Sequence, residues 1–131
     1  MATEFKRRVY SNIQAEAIEH ADSQVYQVPA NCDTVIIGLL LTNTSGSSVT
    51  ADVAIMPEDD TEGKLGAETE LTTYLIKGAQ IPVGSALEVI AGKVVIANTH
   101  ASTDNVGDIL CVRANADNVM DATLSILENT P

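Results

Sequence analysis

Tryptophan is absent from this chain, phenylalanine occurs once and tyrosine three times, so aromatic side chains make up only 3% of its 131 residues. That scarcity removes the stacking platforms on which single-stranded nucleic acids are held. It also disfavours sugar binding on a flat aromatic face, although three tyrosines leave that open. Cysteine is nearly as rare: Cys32 and Cys111 lie far apart and outside any C-x-x-C or Cys/His metal pattern. Both read as small buried apolar residues, or as a disulfide if they face each other across adjacent strands. Long hydrophobic runs are missing too. The longest, "VIIGLLL" at 35–41, is far short of the roughly 20 residues of a membrane-spanning helix. The polar start "MATEFKRRVYSNIQAEAIEH" lacks the apolar stretch of a secretory signal. A soluble product made in the cytoplasm, with no membrane partner, is expected.

Positive charge is the other scarce commodity. Eighteen acidic side chains face seven basic ones, for a formal net charge of −11. Lys6, Arg7 and Arg8 stand together, leaving Lys64, Lys77, Lys93 and Arg113 for the rest, while only Glu4 of the acids falls within the first ten residues. The acidic body repels phosphate backbones, so nucleic acid is not an expected partner. Acidity serves solubility or, in a sharper reading, keeps a protein displayed at high density from adhering to its neighbours or to DNA.

Reactive groups are as sparse as aromatics. No G-x-S-x-G, H-E-x-x-H or phosphate-binding loop occurs. His20 and His100 sit in polar surroundings with no second ligand at metal spacing. Glu58, Asp59, Asp60 and Glu62 of "EDDTE" lack the alternating spacing of a calcium loop. They read as a solvated, exposed loop; a paired-carboxylate hydrolase built on them is the weakest of the readings. No catalytic residue, metal ligand or cofactor is assigned, and the chain is expected not to be an enzyme.

What the sequence does hold is β-strand. "LIKGAQIPVGSALEVIAGKVVI", residues 75–96, alternates apolar runs with Pro and Gly breaks and contains one glutamate but no His, Cys or Asp. In "SVTADVAIM", Val49, Ala51, Val53 and Ile55 alternate with polar residues, the mark of a half-buried strand. "TVIIGLLLTN" is a near-continuous apolar run that predicts a strand buried on both faces, with a bulge or close backbone contact at Gly38. "NTSGSS" predicts a turn joining these two strands as a hairpin. The whole predicts seven to nine short strands and no internal helix. That pattern is an antiparallel β-sandwich, jelly-roll or Ig-like. Residues 1–22 are expected as an extended N-terminal arm and 23–131 as one sandwich domain. Glu4, Phe5, Lys6, Arg7 and Arg8 form the candidate interaction arm, the bland alternative being a disordered charged terminus.

The order "VYQVPAN", "VIIGLLLTNTSGSSVTADVAI", "YLIKGAQIPVGSALEVIAGKVVI" and "GDILCVRANADNVMDATLSILE" resembles small virion structural proteins of tailed bacteriophages. The likeness rests on Tyr26 to Pro29, Leu40 to Asn43, Tyr74 to Lys77, Pro82 to Ser85, Gly92 to Val95, and Leu127 with Glu128. It implies a non-enzymatic virion part, a capsid decoration (cement) protein or other exterior component. The alternative is a neck, tail or fibre/baseplate component, with host-glycan binding at loops 57–70 and 98–107 as one version. Its partners would be copies of itself, a trimer being favoured by closed cyclic symmetry, and other virion proteins such as the major capsid protein.

Overall fold

Alternation of apolar and polar residues decides which side of each strand turns inward, and here it builds two antiparallel sheets. The computed structural model describes residues 2–18, 23–56, 72–90, 93–98 and 107–130. In the first sheet β1 (Ala2–Tyr10) pairs with β9 (Met120–Thr130), and β9 with β3 (Cys32–Asn43). The far edge of β3 is shared by β6 (Ala86–Glu88) and β7 (Val94–Asn98). The second sheet runs β2 (Gln24–Gln27), β8 (Ile109–Ala114), β4 (Val49–Met56), β5 (Thr73–Ile81).

The pairings resolve the topology. β1 with β9, β2 with β8, β3 with β7 and β6, and β4 with β5 are the rungs of one long antiparallel hairpin bent between β4 and β5. That hairpin is rolled so that β9 also meets β3 and β8 also meets β4. This is a jelly roll, one of the two sandwich topologies the sequence left open. Its core is aliphatic, as the shortage of aromatics required. Ile36, Leu39, Leu41, Leu124 and Ile126 of the first sheet meet Val49, Val53, Leu110 and Val112 of the second, all buried.

Three expectations are corrected. β3 is buried on one face only: Ile36, Leu39 and Leu41 point inward while Ile37 and Leu40 are exposed. The strand buried on both faces is β8, because Ile18 folds over its outer side against Ala54, Ile109 and Cys111. β3 and β4 are not a hairpin either, since they lie in opposite sheets. Asn43 makes the corner between them. Its buried amide donates to Ser47 O (2.8 Å) and Ile81 O (3.0 Å), and its carbonyl accepts from Ser45 N (2.8 Å). The polar turn residues had indicated a reversal of the chain; whether it reverses within a sheet or between sheets depends on the partners, which lie far along the sequence. Gly38 does sit at a bulge, between Ile36 and Gly38 against β9, with no close backbone neighbour.

The third correction concerns the N-terminus. Residues 2–10 are a sheet strand, paired with β9 through nine uninterrupted positions, and Ile13 lies in the core. The expected boundary at residue 22 between arm and domain is therefore absent. The charge run "EFKRR" hides a regular alternation: Glu4, Lys6, Arg8 and Tyr10 share the side of the inward-facing Leu124 and Ile126, while Phe5, Arg7 and Val9 share the opposite one.

The end of the sandwich is closed where β2, β7 and β8 meet. Val28 N donates to Asp108 O (3.0 Å), Asp108 N to Ala97 O (3.0 Å) and Asn98 Nδ2 to Val28 O (3.2 Å). Gly107 is wedged into this knot: a Cβ there would lie 2.6 Å from Asn98 Cβ and 2.7 Å from Val28 O. Gly107→Ala is therefore expected to destabilise the fold by about 1–3 kcal/mol, the usual cost of overpacking. Gly46→Ala, where a Cβ meets nothing within 4 Å, should be near neutral. Urea unfolding of the two variants checks the contrast.

Candidate assembly face and the buried carboxylate behind it

The outer side of the first sheet carries a row of apolar side chains. Across four strands Phe5 stands opposite Leu127, Leu127 opposite Val35, and Val35 opposite Val95. Cross-strand neighbours of this kind touch, so the four make one continuous row. Its two ends are the most exposed, Phe5 at 79% and Val95 at 65%. Val9, Ile37 and Leu40 are also exposed on this side, but Val9 and Leu40 flank Thr123 on a second row, set off from the first by Arg7, Ser125 and Gly38. The corresponding area of the second sheet is roofed by Ile18. Among the described residues nothing roofs the first. Arg7 lies within the face, and Asp33 and Glu88 stand on it, all exposed.

Behind the face, the inner side of β1 is held by a buried carboxylate. Glu128, only 6% exposed, continues the inward series Ala122, Leu124, Ile126 of β9. Lys6 Nζ lies 2.6 Å from its Oε1, and the Tyr26 hydroxyl donates to Oε2 at 2.5 Å. With the phenol proton given to Glu128, the Thr34 hydroxyl, 2.8 Å away, donates to the phenol oxygen. Glu4 adds a second, longer ion pair to Lys6 at 3.5 Å. Farther along β1 the Tyr10 hydroxyl donates to Val25 O. Four strands from both sheets are joined through one carboxylate. A cleft of about 350 Å³ opens beside it, lined by Glu4, Lys6, Pro29, Ala30, Glu128 and Thr130.

Electrostatics follow from the geometry. Burial alone would raise the Glu128 carboxyl, but hydrogen bonds from Lys6 and Tyr26 and the charges of Lys6 and Arg8 outweigh it and hold it below the usual range. Lys6 is raised by its bond to Glu128. Tyr26 is raised mainly by burial and then by Glu128. Both carboxylate oxygens are engaged, so the cluster reads as a lock between strands. A general base would need one of them open to a substrate.

The structure splits the candidate arm. Glu4, Lys6 and Arg8 turn toward the Glu128 side, and Phe5 and Arg7 toward the apolar face. Glu58, Asp59, Asp60, Glu62, His20 and His100 lie outside the described residues. Cys32 and Cys111 are buried in opposite sheets and no disulfide joins them. Of the tyrosines, Tyr10 and Tyr26 are bound through their hydroxyls, and Lys77 Nζ sits 4.8 Å above the Tyr74 ring. Among the described residues no three His, Cys, Asp or Glu side chains gather into a metal-binding group.

Sequence reasoning missed Glu128, Tyr26 and Thr34 as a unit. The signal was available for Glu128: it occupies the next inward position after Ile126, where a charge has to be paired. The chain matches no protein-family model, and no curated protein matches it.

Because its folded pKa is depressed, Glu128 contributes stability that is fully present above its unfolded value, near 4.5, and lost as pH falls through the folded one. Glu128→Gln is expected to cost about 1.5–3 kcal/mol at neutral pH, the range for hydrogen bonds to a charged group. The gap between variant and parent should close progressively below about pH 4.5. Urea titrations of both proteins across that range measure it; a gap independent of pH overturns the assignment.

Proposed function

We propose that the chain is a non-enzymatic assembly protein, a structural component of a bacteriophage virion acting on the exterior of the particle as a capsid decoration (cement) protein. The carrying observation is the apolar outer face of the first sheet: five of the seven large apolar side chains exposed among the described residues, Phe5, Val9, Ile37, Leu40 and Val95, lie on it. Exposed large apolar side chains gathered on one face, here a continuous row from Phe5 to Val95 with Val9, Ile37 and Leu40 on the same side, favour a contact with another protein. The jelly roll is shared by capsid and lectin domains, so the fold alone assigns no role. Two further features favour assembly over sugar binding: two of the three tyrosine hydroxyls are bound inside the fold, and the third ring carries Lys77.

In this reading the partners are other copies of the chain and shell proteins such as the major capsid protein. The acidic body, with its net charge of −11, favours a place facing solvent over one against packaged DNA. Particles purified from the virus whose genome encodes the chain should contain it in many copies by mass spectrometry. Val95→Glu should remove it from those particles while leaving the melting temperature of the isolated protein within about 2 °C, as for a surface substitution. Particles that lack the parent chain overturn the reading.

A further inference from the structure

We infer that two copies of this chain join edge to edge through β1, antiparallel, with Phe5 of one copy opposite Phe5 of the other. This rests on the assembly reading and specifies its first contact.

A sheet edge offers unpaired N–H and C=O groups, and natural proteins blunt such edges with shortness, bulges, charged side chains and inward-pointing charge. Three edges of the sandwich are short or irregular. β2 is four residues long, and the edge beyond β3 is divided between β6 of three residues and β7 of five. β5 is longer, but its register against β4 shifts twice, and Gly78 within it has a φ of +67°. β1 differs. It pairs with β9 through nine positions with no irregularity, and among the described residues its other edge is uncovered.

The charges on β1 select a partner strand. For two copies to extend one sheet with their apolar faces on the same side, odd-numbered residues must oppose odd and even oppose even; a one-residue slip turns the second copy over. Centring the pair on Glu4 or Lys6 sets that residue against its own copy, and centring it on Arg7 opposes Arg7 with Arg7 and Lys6 with Arg8. Centring on Phe5 opposes Glu4 with Lys6 twice, Thr3 with Arg7 twice, and two phenylalanine rings across the dyad. Opposed opposite charges and aromatic pairs stabilise neighbouring strands, and opposed like charges destabilise them. The basic cluster therefore specifies a register where in most edge strands it would repel.

The same register continues the apolar row. Val95, Val35, Leu127 and Phe5 of one copy run into Phe5, Leu127, Val35 and Val95 of the other, giving a single band twice as long on one side of a joined sheet. Lys6 keeps Glu128 as its partner within its own copy, so pairing strips neither group. The contact is isologous and closes in pairs; the trimer expected from the sequence would need a different surface.

Light scattering over a concentration series tests the pairing, together with two single thiol variants. The parent should be a dimer. Phe5→Asp should weaken association at least about tenfold by opposing two carboxylates at the dyad, with the far-ultraviolet circular dichroism of the folded chain unchanged. Under mild oxidation Phe5→Cys should crosslink into a disulfide dimer, because directly opposed positions fall within disulfide reach. Arg7→Cys, on the same face but opposed to Thr3, should crosslink at least about tenfold more slowly. A monomeric parent, association indifferent to Phe5→Asp, or equal crosslinking of the two thiol variants overturns the proposal. These outcomes are independent of particle content: a chain present in virions yet unpaired at Phe5 loses only this inference, and a chain paired at Phe5 yet absent from virions loses only the functional reading.

Discussion

A buried carboxylate ties the margins of the two sheets together. Glu128 sits inside a mainly aliphatic sandwich, and its ionised form is tolerable because Lys6 and Tyr26 each occupy one of its oxygens. Those two partners come from the two sheets. Lys6 belongs to the strand that ends the first sheet, and Tyr26 to the strand that ends the second. The open side of the sandwich, where two sheet margins would otherwise expose their seam, is thereby drawn together by charge and hydrogen bonds around the buried Tyr26 and the half-buried Tyr10. Thr34 completes the arrangement by supplying the phenol with a donor.

From that lock follows the orientation of β1. With Lys6 turned inward, period-two geometry places Phe5 and Arg7 on the other side. Phe5, the single phenylalanine of the chain, is spent on the surface at the margin of an apolar row. An isolated soluble domain gains nothing from this placement, since burying such a side chain stabilises by about 1.5–3 kcal/mol. The asymmetry of the two sheets reinforces the point. Ile18 covers the outer side of the second sheet, and among the described residues the first has no such cover. One long, regular edge and one apolar face meet at the same strand, and both are features that a second protein chain completes.

The strand content, the lack of helix among the described residues and the aliphatic core were legible in the sequence, because alternation and turn chemistry are local. Val49, Ala51, Val53 and Ile55 do face the core cluster together, and the "PVGS" segment does turn, with Gly84 at a φ of +71° and Ser85 N bonded to Pro82 O at 3.2 Å. What misled were the cases where a local pattern has two tertiary outcomes. An apolar run such as "VIIGLLL" suits either a two-face-buried strand or a one-face strand whose outer side awaits a partner. "NTSGSS" suits either a hairpin or a corner between sheets. "EFKRR" suits either a free arm or an edge strand with its charges sorted to two sides.

Sequence by itself determined that this chain is an antiparallel β-sandwich with an acidic body and an aliphatic core, for those properties follow from composition and from the two-residue period of the strand. Tertiary structure alone decided that the sandwich is a jelly roll, that residues 2–10 belong to it, and that Glu128 meets Lys6, Tyr26 and Thr34. The physical reason is sequence separation. Lys6 and Glu128 stand at opposite ends of the chain, and the pairing of β1 with β9 that brings them together depends on long-range register, which no local pattern encodes.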